Sequence, residues 1–312
     1  MPLYLSNEDV RSLLSYADCV NIMEDLFRQE AEGLAENFPR QSLNLPQGFH
    51  RTMSGGAYGF GAYGFKTYGR VANPVRYLVM LFDLATGDLA AIMDAKDMGE
   101  IRTSAVSALG TKLMAREDAE NIGIIGTGRE ARGQMAAMMA VRPIKRIKAY
   151  SRTAEKRGAF TAEMAEKHGI EAVAVSSAEA CVEGADIVIT VSAANDPVLM
   201  GEWLRPGMHV SAIGATSLVR RELDVEAVKR ADLVVVENLD QARDECGELI
   251  WAAHTRGSLR WSAVVELHEV VSGKIPGRKS ADQITLLDTL GVAAEDVAAG
   301  AWVLERAKEQ GL

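Results

Sequence analysis

Three basic residues and one glycine-rich turn carry the chemistry that this sequence can offer. Lys66 stands in YGFKTYGR and is the one charged side chain in the aromatic, glycine-rich stretch from Tyr58 to Tyr68. An amine flanked by apolar groups loses its charge readily and can donate or accept a proton. Arg40 follows Phe38-Pro39 at the start of a strand, and Arg102 opens a helical stretch in IRTSA. A guanidinium stays protonated, so neither arginine can serve as an acid. Taken alone, each of the three reads as a surface charge. Composition and spacing do not bring them together.

The turn lies in NIGIIGTGREARG, from Asn121 to Gly133. An apolar run ends at Gly126, Gly-x-Gly-x-x-Ala follows, and a helical stretch begins near Arg129. Gly126 permits the tight turn, Gly128 lets backbone approach a pyrophosphate, and Ala131 allows close helix–strand packing. The helix start would present N–H groups to the anion. The alternative is a structural turn whose glycines serve backbone angles alone. An NAD site places a carboxylate after the second strand, for the ribose 2′-hydroxyl. Here that turn reads YSRT, and Arg152 with Ser151 and Thr153 suits a 2′-phosphate. NADP(H) is therefore favoured over NAD(H), unless Arg152 is only a solvated surface residue. No Ser-His-Asp grouping stands out. The five histidines lack metal spacing, and no metal site is expected. The acidic pairs read as solvated helix faces.

These residues need elements to hold them. The N-terminus reads as a strand, Leu3–Ser6, running into a helix with a capping box at Ser6 and Asp9. Apolar Val20, Met23, Leu26 and Phe27 predict an amphipathic helix over Asp18–Glu36, broken by Pro39. Residues 40–93 read as sheet, with RYLVMLFD and LAAIMD joined by the turn ATGD as a hairpin. Glu100–Ala115 reads as a helix. From Asn121 the pattern changes. The apolar runs IGII, RIKAY, EAVAV, DIVITV, HVSAI and DLVVVE alternate with helical stretches, as buried parallel strands of a doubly wound sheet do. The expected fold is α/β: a Rossmann doubly wound parallel sheet over 118–290, plus a smaller α+β domain from 1–117. The tail, 291–312, reads as a helix capped by acidic residues that could close back on the first domain.

With 312 residues, 48% of them hydrophobic, the chain can bury two cores. A net charge of −9 argues against nucleic acid as the main partner. Cys19, Cys181 and Cys246 are odd in number and far apart, which points to reduced thiols and a cytoplasmic protein. The N-terminus has neither a basic nor an apolar region of a signal peptide, and no apolar run reaches the ~20 residues of a membrane span.

The segments FPR, GFKTYGR, LFDLATGDLAAIMD, IRTSAVSALGTKLMA, IGIIGTGREA, EWLRPGMHVSAIGA, RRELD and LLDTLGVAAEDVA occur in that order. In this the chain resembles the ornithine cyclodeaminase/mu-crystallin family over nearly its whole length. The resemblance implies a homodimer whose first domain carries the substrate site and the dimer contacts. It implies an NAD(P)H-dependent reductase of a C=N bond next to a carboxylate, or an amino-acid dehydrogenase in reverse. The alternatives within it are an ornithine-type cyclodeaminase and a non-catalytic protein that binds NADPH and a small ligand. By the same resemblance, Arg40 and Arg102 hold the substrate carboxylate. Lys66 sits by that carboxylate or the reacting nitrogen. Thr103 touches the cofactor, and Gly126, Thr127, Gly128, Arg129, Glu130 and Ala131 hold the pyrophosphate. Ser151, Arg152 and Thr153 surround the adenosine ribose. Val191, Ser192, Ala193, Ile213 and Gly214 line the nicotinamide side, closed by Gly291 and Val292. Two departures bear on the substrate. Cyclodeaminases use an aspartate where this chain has Thr216, which resembles the reductase branch. Pro74 stands where the family often has a hydroxyl facing substrate.

Overall fold

The computed structural model describes every residue except Ala72, Asn73 and Arg256. The chain divides into two compact units: Met1–Val106 with Gly291–Leu312, and Ser107–Leu290.

In the first unit, strand β1 (Leu3–Leu5) leads into helix α1 (Asn7–Leu13) through the capping box at Ser6 and Asp9. Helix α2 (Tyr16–Ala31) buries Cys19, Val20, Met23, Leu26 and Phe27. It stops well short of the Glu36 expected from periodicity. Gly33 takes a left-handed φ of 77°, and the N–H groups of Gly33 and Leu34 turn back to Glu30 and Gln29. This glycine-capped ending satisfies the last carbonyls and breaks the helix before Pro39 is reached. Strands β2 (Ala35–Asn37), β3 (Gln41–Leu45), β4 (Gly48–Ala57), β5 (Ala62–Arg70), β6 (Arg76–Asp83) and β7 (Leu89–Asp94) follow, and then helix α3 (Lys96–Met114). The seven strands form one sheet in the order β1-β7-β6-β5-β4-β2, with β3 paired to β4. Every pair is antiparallel except β1 with β7.

Register decides which side chains share a face. Met53, Lys66 and Val79 lie opposite one another on β4, β5 and β6, and Val79 continues to Met93. These four are buried. One residue along, Ser54, Phe65, Met80 and Ile92 form the alternate row, which is more exposed. The inner face packs against the C-terminal helix Ala293–Gln310, so the tail belongs to the first unit.

The second unit holds strands β8 (Asn121–Ile125), β9 (Arg146–Tyr150), β10 (Glu171–Ala174), β11 (Ile187–Thr190), β12 (His209–Ala212), β13 (Leu233–Val236), β14 (Val264–Glu266) and β15 (Thr285–Asp288). Between them run α4 (Arg129–Val141), α5 (Ala154–His168), α6 (Ala178–Val182), α7 (Val225–Arg230), α8 (Leu239–Glu245), α9 (Gly247–His254) and α10 (Leu267–Val271). The sheet is wholly parallel, in the order β10-β9-β8-β11-β12-β15-β13-β14. The six expected strands are present. β14 and β15 are additions; each holds only two apolar residues, Val264–Val265 and Leu286–Leu287. β15 inserts between β12 and β13, and β11, β12 and β15 are buried along their whole length. A strand covered on both faces needs an unbroken apolar run, which is how β11 reads in the sequence. The strand order reverses around β8, which has β9 on one side and β11 on the other. Ligands of doubly wound sheets bind at the carboxyl ends of strands beside such a switch point.

All three cysteines are free and buried. Among the described residues, no helix is long and apolar enough to cross a membrane.

Candidate active site

A cleft of about 810 Å³ opens at the carboxyl ends of β8, β9 and β11. It is lined by Gly126, Thr127, Gly128, Arg129, Glu130, Ser151, Arg152, Thr153, Val191, Ser192 and Ala193, all singled out in the sequence. Gly126 has φ 114°, and a Cβ there would lie 2.4 Å from the Val191 carbonyl oxygen, so only glycine fits. A Cβ on Gly128 would meet nothing within 4 Å. Gly128 is the N-cap of α4 and makes no side-chain cap, so this helix start faces open space in the cleft wall. Ala131 does not line the cleft. It is fully buried in the first turn of α4, where a larger side chain would push the helix off the sheet. Ile213 and Gly214 follow β12 and are not among the lining residues. Thr103, Gly291 and Val292 belong to the first unit.

Several supports of the cleft escaped the sequence reading. Lys156, in the first turn of α5, joins Arg152 in the lining; Arg152 precedes the helix, so no helical spacing links the two in the sequence. Arg132 Nη1 donates to the carbonyls of Thr127 (3.2 Å) and Gly128 (2.9 Å). Its Nη2 pairs with Glu163 at 2.7 Å, so the glycine turn is pinned from behind. Thr127 Oγ1 donates to Ser151 Oγ at 2.9 Å, joining the two turns. Glu222 is buried, and its two carboxylate oxygens accept from the Ser192 N–H (2.5 Å) and the Gly214 N–H (2.6 Å). One side chain thus ties together the chain ends leaving β11 and β12. Burial raises the Glu222 carboxyl above its usual range against these hydrogen bonds.

Beneath Glu222 lies a group that spacing could not reveal. The Glu222 N–H donates to Glu248 Oε1 at 2.7 Å, and Cys246 Sγ donates to Asp288 Oδ2 at 3.1 Å. Cys246, Glu248 and Asp288 each bring one ligand atom within 4.8 Å of the others. They come from the α8–α9 junction and from β15. Burial pushes Glu248 up to about 7 and Asp288 well above the ordinary range, with Glu248 as the next cause.

The first unit holds a second polar site. Lys66 on β5 and Arg102 on α3 both reach Asp296 Oδ1, at 2.8 and 3.3 Å, and Arg102 Nη1 reaches Glu295 Oε2 at 2.7 Å. Lys66 is 4% exposed, Arg102 6%, and both carboxylates 0%. The fold therefore brings Lys66 and Arg102 together, and Arg40 acts on the same lysine. Burial, then the charge of Arg102, and more weakly that of Arg40, lower Lys66 to about 8 against the pull of Asp296. Arg40 Nε donates to Met53 Sδ at 3.5 Å, and Met53 is the cross-strand partner of Lys66. Gly291 is required for packing here, since a Cβ would lie 2.4 Å from Arg102 Nη1. Val292 is the N-cap of the C-terminal helix.

Glu295 and Asp296 correct the expectation that the acidic pairs are solvated helix faces. Both sit in the first turn of the C-terminal helix, where the helix dipole favours carboxylates, but their partners are buried cations. Arg102 and Lys66 hold Asp296 below the usual carboxylate range despite its burial. The available signal was an acidic pair in an otherwise Ala- and Val-rich helix, VAAEDVAAGA.

A wholly parallel sheet with a glycine turn and a cleft at its switch point defines a Rossmann-type dinucleotide-binding protein. Residues 2–311 match the model of the ornithine cyclodeaminase/mu-crystallin family, and the chain belongs to that family. It is 36% identical over 236 residues to a Delta(1)-pyrroline-2-carboxylate reductase of Bacillus cereus, covering 75% of this chain and 72% of that one. Its structure is similar to Thermococcus litoralis Delta(1)-pyrroline-2-carboxylate reductase in complex with NADH and L-proline. The TM-score is 0.94 at 31% identity, over 99% of this chain and 98% of that one. It is similarly close to an archaeal alanine dehydrogenase dimer with bound NAD, with a TM-score of 0.93 at 32% identity, over 100% and 97% of the two chains.

Proposed function

We propose that this protein is a nicotinamide-dependent oxidoreductase that reduces a C=N bond next to a carboxylate, or in reverse oxidises an amino acid. The observation that carries this reading is the buried set Lys66, Arg102 and Asp296, in a chain whose other unit bears a dinucleotide-type cleft. The cleft residues fit the cofactor. Gly126 makes the tight turn, and Gly128 leaves room for a pyrophosphate at the α4 N-terminus, where backbone N–H groups favour an anion. Thr127, Arg129, Glu130 and Ala131 complete that turn. Val191, Ser192, Ala193, Ile213 and Gly214 would face the nicotinamide. When bound, the nicotinamide supplies or accepts the hydride at the substrate carbon.

The remaining work falls to this chain's own side chains. Arg102 and Arg40 hold the substrate carboxylate through charge-assisted hydrogen bonds. Lys66, lowered to about 8, is protonated in large part at neutral pH and still able to give up its proton. It donates that proton to the substrate nitrogen, or holds the carboxylate so that a water does. Asp296 Oδ2 is buried without a hydrogen-bond partner and offers an acceptor to an N–H or a water. Thr216 carries no charge, so the carboxylate used for ring closure is missing, which favours reduction over cyclodeamination.

The favoured cofactor is NADP(H). Arg152 and Lys156 line the cleft near Ser151 and Thr153, and Tyr150–Thr153 contains no carboxylate. Arg152→Ala should raise the KM for NADPH and leave that for NADH nearly unchanged; an equal effect on both would remove the assignment. A homodimer is supported by the outer sheet face. Tyr63 stacks on Phe82 at 5.3 Å, and Phe65, Leu78 and Met80 lie on that same face, partly or fully exposed. Reduction itself is tested by following NADPH and NADH absorbance with 2-oxo acids plus ammonia or amines, and with cyclic imines. Turnover with at least one such substrate is expected. Ammonia release from a diamino acid without net absorbance change would contradict it.

A further inference from the structure

Strands that end beside a cleft leave the sheet with N–H groups that no neighbouring strand takes. The ladder around β11 ends where the Val191 N–H donates to Ile125 O and the Ile213 N–H donates to Thr190 O, both at 2.9 Å. The next N–H groups, those of Ser192 and Gly214, lie beyond these last rungs. A buried N–H without an acceptor is costly, and one carboxylate takes both. Glu222 Oε1 accepts from Ser192 and Oε2 from Gly214.

The rest of Glu222 is engaged as well. It is 0% exposed and does not line the cleft. Its N–H donates to Glu248 Oε1. Its carbonyl accepts from the Val198 and Leu199 N–H groups at 2.7 and 2.9 Å, at the end of the loop that lines the cleft from Val191 to Val198. Arg220, two residues earlier, holds the same loop by its carbonyls. Its Nη2 donates to Ser192 O at 3.2 Å and its Nε to Ala194 O at 3.4 Å. Ser192 thus has its N–H on Glu222 and its carbonyl on Arg220. Gly214 has no room for a side chain, since a Cβ would lie 2.4 Å from both Glu222 Oε2 and Ser192 O. The segment is fixed in turn by α9, where a Cβ on Gly247 would lie 2.1 Å from Arg220 O. With these N–H groups committed, the two turns offer a ligand their position rather than those donors.

We propose that Glu222 is a positioning residue for the nicotinamide half of the cofactor, assisted by Arg220. It acts through Ser192 and Gly214, whose turns it holds in one register by charge-assisted hydrogen bonds. This rests on the proposed function for placing the nicotinamide against those turns. The adenosine half meets the glycine turn and the Tyr150–Thr153 turn, which are held instead by Arg132 and by the bond between Thr127 and Ser151. Loss of the Glu222 carboxylate therefore loosens one half of the cofactor and spares the other.

The test uses the full chain. NADPH and NADH are titrated calorimetrically beside their adenosine fragments, 2′,5′-ADP and ADP. Time-resolved fluorescence anisotropy of the bound reduced cofactor reports the motion of the nicotinamide ring. In the wild type the dinucleotide should bind more tightly than its fragment, and the ring should tumble with the protein. Glu222→Gln keeps the reach of the side chain and turns one acceptor into a donor that faces an N–H. It should lower the dinucleotide-to-fragment affinity ratio by about tenfold or more, the scale of a lost hydrogen bond to a charged group. Fragment affinity should be unchanged, and the bound ring should gain fast local motion. Glu222→Asp, which keeps the charge, should restore part of the ratio. Arg220→Ala should act in the same sense but less, and it decides the matter if circular dichroism shows Glu222→Gln unfolded. Variants with an unchanged ratio and a held ring, or with fragments and dinucleotides weakened equally, would overturn the positioning role while the proposed function stands. A wild type that binds the fragments as tightly as the dinucleotides would refute the nicotinamide placement, and the proposed function with it.

Discussion

Lys66, Arg102, Glu295 and Asp296 in the first unit alternate in sign, whereas Glu222, Glu248 and Asp288 in the second share one sign, with the Cys246 thiol among them. Both groups are buried. In the first, opposite charges at 2.7–3.3 Å offset the loss of water, and Asp296 is held below its usual range. In the second, burial first and then the neighbouring carboxylates push Glu248 and Asp288 up, which favours their protonated forms. The mixed-sign group keeps its charges. The like-sign group exchanges charge for hydrogen bonds, and those bonds run to the Ser192 and Gly214 turns through Glu222. The same physical penalty thus yields a cluster of paired charges in one unit and a group of proton-retaining carboxylates in the other.

The comparison can be broken most forcefully at Asp296. Asp296→Ala leaves Lys66 and Arg102 facing each other without their shared carboxylate. Breaking a buried pair in this way costs about 3–5 kcal/mol, readable in chemical denaturation. A loss under ~1 kcal/mol would mean that water already solvates the cluster. Arg102→Ala is next. It should cost activity by about 2–5 kcal/mol in kcat/KM, by analogy with desolvated charge pairs, while cofactor binding in the other unit persists. Near-normal activity on carboxylate substrates would remove the anchoring role.

Glu248→Gln should have a smaller effect, and one that depends on pH. Glu248 is raised from 4.5 to about 7, so between those values the folded protein binds a proton that the unfolded chain has released. Its contribution to stability therefore falls as pH rises from 4.5 through 7. The neutral glutamine should flatten that fall. Lys66 acts in the opposite sense at higher pH. It is lowered from 10.5 to about 8, so the unfolded chain binds the extra proton, and stability rises between 8 and 10.5. Lys66→Met should remove that rise. Denaturation midpoints measured across the two windows would separate the clusters, and a single shared slope would contradict the contrast between them.

Much of the dinucleotide cleft was legible in the sequence because its logic is local. Gly126, Gly128 and the Tyr150–Thr153 turn follow strands whose apolar runs are visible without a structure. Lys66 and Arg102 were legible only by resemblance, since they lie 36 residues apart on a strand and a helix. Their carboxylates were misread. Glu295 and Asp296 look like an ordinary acidic helix start, and only the return of the C-terminal helix to the first sheet puts them against cations. β15 was missed for a related reason. TLLD begins and ends on a polar residue, so it lacks the unbroken apolar run of β13, and its place between β12 and β13 is set by pairing alone. Glu222, Glu248 and Asp288 are 26 and 40 residues apart, and no spacing rule joins them.

The central proposal is that Lys66 carries a proton and that burial and the charge of Arg102 bring its titration into the working range. The most direct measurement is the pH dependence of kcat/KM for imine reduction, which reports groups of the free enzyme, in the wild type and in Lys66→Met. The wild type should lose activity as pH rises through about 8, the value to which burial and Arg102 lower this lysine. Lys66→Met should lose turnover, and its residual rate should lack that basic limb. A wild-type rate that stays flat to pH 10, or a variant that keeps both the rate and the limb, would contradict the account.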